Sequence, residues 1–124
     1  MSAELGEIVL YRTADGGPAL DVRLERESIW LTQAQMAELF GVNVPAIFKH
    51  IKNIYAVGEL EDGATVSKME IVRQEGSRKV RRAVDHYNLD MVISVGYRVN
   101  SLRGTQFRIW AIGINWTVAS RSPA

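Results

Sequence analysis

Residues 31–52 read LTQAQMAELFGVNVPAIFKHIK, and the rest of the chain arranges itself around them. Thr32 is placed to cap a helix, with Gln35 three residues on to close a capping box. Leu31 before the cap and Met36 after it stand where a hydrophobic staple forms, and Ala37, Leu39 and Phe40 continue the apolar side. Gly41 falls where a tight turn asks for positive φ, a conformation that costs glycine almost nothing. Asn43 can cap a second helix, and Pro45 suits its first turn, where the missing N–H would have no partner anyway. Val42, Ile47 and Ile51 give that helix a buried stripe, and Ala37 is small where the two helices must cross. This spacing predicts a helix-turn-helix, whose second helix can enter the major groove of duplex DNA. The plainer reading is a helical hairpin that only packs a core.

Upstream, the apolar run Ile8 to Tyr11 and the alternation of Leu20, Val22 and Leu24 with Asp21, Arg23 and Glu25 predict a β-hairpin with one buried face. Asp15-Gly16-Gly17-Pro18 supplies its turn, and Ser28-Ile29-Trp30 a third short strand with Trp30 as a core anchor. Downstream, the second helix is expected to run through Ile54 and Tyr55 until Gly58 stops it. GELEDGA at 58–64 reads as a solvated polar loop, because Glu59, Glu61 and Asp62 lack the ligand spacing of a calcium loop.

Residues 65–87 read as a second hairpin turning at Glu75-Gly76-Ser77. Its cations Arg78, Lys79, Arg81 and Arg82 suit a wing that touches phosphates or the minor groove. An edge hairpin guarded from aggregation by its charges needs the same residues. Asn88 can cap a third helix over Leu89 to Tyr97, interrupted at Gly96 or around Val99-Asn100. A further helix begins near Leu102 or Thr105 and carries Phe107 and Trp110. The expected class is α+β: a winged helix-turn-helix-like domain with an N-terminal β-hairpin and C-terminal helices.

A chain of 124 residues suits one domain, and 47% hydrophobic with 23% charged residues is ordinary for a globular protein. No apolar run is long enough to span a bilayer, and the N-terminus lacks the basic start and apolar core of a secretory signal. The absence of cysteine excludes disulfides and thiolate metal sites. A cytoplasmic address is expected. The net charge of +1 is unevenly spread, acids prevailing over residues 1–64 and bases over 65–111, as on a small reader of phosphate backbone.

No catalytic constellation stands out. His50 and His86 are too few for most metal sites and lie in unrelated segments. Asp85, His86 and Ser94 are the residue types of an acyl-transfer triad, but no nucleophile elbow surrounds the serine. Phosphate-binding glycine loops and dinucleotide fingerprints do not occur. No enzyme activity, metal or cofactor is expected.

The expected partner is double-stranded DNA, read by the second helix. Asn43, Pro45, Ala46, Phe48 and Lys49 would lie on or near its groove-facing side, Asn43 either capping or reading bases. Lys49, His50 and Lys52 would meet phosphates, and Phe48 would touch a thymine methyl or pack on a neighbouring element. Arg78, Lys79, Arg81 and Arg82 would follow the backbone beside it. A homodimer fits this reading, because a single reading head offers little contact surface. The rival function is a protein-interaction module using the same fold without DNA, through Phe48, Tyr55 and Trp110.

Three segments together resemble the RhuM family: WLTQAQMAELFGV at 30–42, YNLDMVISVGYRVNS at 87–101 and RGTQFRIWA at 103–111. The first is shared with helix-turn-helix proteins in general, whereas the second and third are particular. FRIW also resembles the end of the Bro-type DNA-binding domain of phage antirepressors. The resemblance spans residues 7–111 and implies DNA binding, with a regulatory role at a mobile-element or defence locus. Members of the family usually continue past the third segment with a long amphipathic helix. Here Ala111 is followed by IGINWTVASRSPA, so residues 112–124 are expected to be an atypical, frame-shifted or disordered tail on a truncated member, with Trp116 exposed.

Overall fold

A computed structural model describes residues 7–12, 19–26, 28–99 and 102–121, with side chains as far as residue 113. The expected turn at Asp15–Pro18, Asn100 and the side chain of Trp116 lie outside the described residues. The class is mixed α+β, as the hydrophobic pattern implies.

Three antiparallel strands come first: β1 (Glu7–Arg12), β2 (Ala19–Glu25) and β3 (Ser28–Trp30), in that spatial order. The alternation of β2 sends Leu20, Val22 and Leu24 into the core. Trp30 is buried, donates its indole N–H to the Glu25 carbonyl at 2.8 Å and carries the Arg26 guanidinium over its ring.

Helix α1 (Gln33–Phe40) opens with the full capping box between Thr32 and Gln35 and ends on Gly41 at φ 71°. Helix α2 (Val44–Ala56) opens with the Asn43 side chain accepting the Ala46 N–H at 2.8 Å. Ile47, Ile51 and Ile54 are its buried stripe. The loop expected at 58–64 contains one helical turn, α3 (Asp62–Thr65), where a threonine can close a local bond. Thr65 Oγ1 donates to the Glu61 carbonyl at 2.8 Å and accepts the Tyr55 hydroxyl at 2.8 Å, tying the end of α2 to the next strand.

Strands β4 (Val66–Glu75) and β5 (Arg78–Tyr87) pair over their whole length around Gly76-Ser77. Gly76 has φ 63°, as the first position of a type II′ turn requires. The hairpin is anchored at its base, where Leu31 and Tyr87 exchange backbone hydrogen bonds of 3.0 and 2.7 Å.

Helix α4 (Leu89–Val99), capped by Asn88, passes through Gly96 without a break, and α5 (Leu102–Arg121) follows. Residues 112–121 lie within α5. Gly96 has a packing role instead of a terminating one. An added Cβ there would stand 3.4 Å from the Phe40 ring, and one at Gly104 would stand 3.0 Å from that ring and 3.3 Å from Gly96 Cα. Bare backbone on both helices is what lets Phe40 of α1 wedge between them. Phe107 and Ala111 of α5 complete one core with Met91, Val92 and Val95, and the rings of Phe107 and Trp110 close over Tyr11 at 5.1 and 4.7 Å.

Candidate nucleic-acid interface

The outward face of α2 is built by the same periodicity that buries its stripe. With Ile47, Ile51 and Ile54 turned inward, Val44, Pro45, Phe48, Lys49, Lys52 and Asn53 are left exposed. Phe48 is 53% exposed, so about half of its surface is open to solvent. Asn43 turns its side-chain oxygen to the cap, where it accepts the Ala46 N–H and is oriented along the helix rather than outward. Ala46 and His50, one turn apart, are half-buried and sit on the flank of the helix rather than on its outward face. Of the side chains proposed for the groove, Pro45, Phe48, Lys49 and Lys52 thus share one open face.

The second cluster is on the hairpin, and part of its positive charge is already engaged by the hairpin's own acids. Each of the hairpin acids is held by a hairpin cation. Arg82 grips Glu75 with two bonds of 2.9 and 2.7 Å, Arg81 reaches Glu70 at 3.2 Å, and Lys68 meets Asp85 at 2.8 Å. The Arg82 hydrogen bond holds the Glu75 carboxyl below its usual range, and the Asp85 bond pushes the Lys68 ammonium up. Arg78 and Lys79, beside the turn, are exposed and contact no acidic side chain among the described residues. Arg81 and Arg82 can reach a phosphate only by exchanging one anion for another. These pairs were legible only in part: a turn at Gly76 sets Lys68 opposite Asp85, but the reach of Arg82 to Glu75 depends on side-chain geometry.

A cleft of about 420 Å³ lies between the first turn of α1 and one face of the hairpin, lined by Gln33, Gln35, Ile71, Arg73, Val84 and His86 among others. His86 is 3% exposed, and burial pushes its imidazole below the ordinary histidine value. Its Nδ1 lies 2.9 Å from the Val84 carbonyl. Asp85 turns to Lys68 and Ser94 hydrogen-bonds Glu59, so the three triad-type residues each engage a different partner. Tyr55 and Trp110, considered for a protein contact, are half-buried in the core rather than presented.

No helix among the described residues is long and apolar enough to cross a membrane. No curated protein and no solved structure matches the chain. The model of the virulence protein RhuM family matches residues 64–116, which takes in the hairpin, α4 and most of α5 and leaves α1 and α2 outside. That match covers the two more particular of the three motifs, and over residues 64–116 the chain resembles the RhuM family.

Proposed function

We propose that the chain is a sequence-specific binder of duplex DNA, a winged helix-turn-helix in which α2 enters the major groove and the β4–β5 hairpin follows the backbone. The observation that carries this reading is the open face of α2, where Lys49 and Lys52 stand beside the exposed apolar side chains Val44, Pro45 and Phe48. Two features support it. Capped helices flank a positive-φ glycine turn, and the strand entering α1 pairs with the last strand of the hairpin at Leu31 and Tyr87, as a wing joins its helices. The biological setting that fits is transcriptional control of a mobile-element or defence locus, with two copies of the chain on adjacent half-sites.

Selection of bound fragments from random duplex DNA, followed by a salt titration of the winner, tests this. Lys49, Lys52, Arg78 and Lys79 meeting one phosphate each give a log–log slope of roughly −3 to −4. Failure to enrich any fragment would remove the reading. A competing use of the same face, docking of a protein partner, draws on the exposed Phe48 and Val44. Binding of that kind would respond little to salt.

A further inference from the structure

We infer that α2 reads DNA chiefly through the C5-methyl groups of thymine, so that the preferred duplex is one that lines the major groove with thymines. This rests on the DNA-binding reading above.

In a helix-turn-helix, base edges are met by the N-terminal residues of the second helix. Here the first two turns of α2 present Val44, 41% exposed, then Pro45 and Phe48. None of the three side chains can donate or accept a hydrogen bond. Asn43 precedes them with its side-chain oxygen already spent on the Ala46 N–H. Ala46 and His50 lie on the flank. The first polar side chains on the outward face are Lys49, Lys52 and Asn53, further along, where the two ammonium groups suit the phosphates beside the groove.

Val44 and Phe48 are four residues apart and therefore adjacent on the helix surface. An apolar patch followed by lysines along the helix is complementary to groove-floor methyl groups beside phosphates. Thymine alone among the four bases carries such a methyl. A thymine methyl is a group that a patch of this composition can bury, whereas the edges of guanine and cytosine offer it no such apolar contact. Val44 enters as a specificity residue that charge and polarity alone would pass over.

The test uses the full chain and the duplex enriched from a random pool, resynthesised with deoxyuridine for every thymidine. This removes the methyl and keeps each hydrogen-bonding group and phosphate. Each contacted methyl is expected to be worth about fourfold in affinity, so two give roughly a 10- to 20-fold loss at fixed salt. The slope against salt should not change. Phe48→Ala should bring the two duplexes to nearly equal affinity, whereas Lys49→Ala should weaken both alike. Phe48 is exposed, so the variant keeps its fold, which circular dichroism checks. A thymine-poor selected sequence, or equal affinity of the native protein for the two duplexes, overturns the inference while leaving DNA binding intact. So does a Phe48→Ala variant that weakens both duplexes equally, which assigns the patch to another contact. No binding to either duplex overturns the DNA-binding reading itself, and this inference with it.

Discussion

Gly104 is the residue whose replacement should be felt most for its size. A methyl there meets the Phe40 ring and the backbone of Gly96, neither of which can retreat without opening the contact between α4 and α5. Gly104→Ala is expected to destabilise by about 1–2 kcal/mol, overpacking outweighing the gain in helix propensity. Gly63→Ala, with nothing within 4 Å of the new Cβ, is expected to be neutral or slightly stabilising. Urea unfolding of the two variants side by side checks this. His86 gives a pH signature. Its imidazole is buried below the ordinary value of 6.5 in the folded chain, faced by Arg23, Glu25, Asp85 and the Val84 carbonyl. The unfolded chain therefore binds the proton more readily. Stability is expected to hold above pH 6.5 and to fall as the pH drops from there towards the folded-state value. His86→Gln should flatten the decline of the urea midpoint over that window.

Among the elements, the two cap residues and the hairpin carry separate expectations. Thr32→Ala removes the side chain that accepts the Gln35 N–H and should cost about 1 kcal/mol. Asn43→Ala should cost a similar amount in stability and leave base preference unchanged, since the cap rather than a base holds its oxygen. A loss of sequence preference in Asn43→Ala with the fold intact would contradict that assignment. On the hairpin, the internal pairs of Arg81 and Arg82 set them apart from Arg78 and Lys79. Replacing Arg78 and Lys79 together by Ala is expected to reduce the salt slope of DNA binding by about 1.8. The Arg81→Ala, Arg82→Ala pair should reduce it less, because their phosphate contacts replace existing ion pairs. A filter-binding series over salt concentration for the two double variants distinguishes them.

At the level of the whole molecule, a net charge of +1 leaves little long-range attraction to nucleic acid. On the proposed DNA-binding reading, affinity comes instead from the few cations that the fold leaves unpaired among the described residues and from apolar contacts in the groove. The local devices were legible in the chain because each acts over a few residues. Thr32 with Gln35, Gly41, Asn43 and the alternation of β2 all satisfy nearby backbone groups or bury a side chain every second residue. Their energetics do not depend on what lies far away in sequence. Gly96 could not be read in this way: within its own helix it looks like a stop, and only Phe40 and Gly104, brought from α1 and α5, make it a contact. The engagement of the hairpin cations escapes a sequence reading for the same reason. A tally of charges does not show that Glu70, Glu75 and Asp85 engage Arg81, Arg82 and Lys68. Local periodicity and capping therefore specify the elements from the chain alone, since hydrogen bonds within a turn need no distant partner. Which side chains remain free to meet a ligand depends on packing and pairing between segments far apart in sequence, and that settles only when the chain closes on itself.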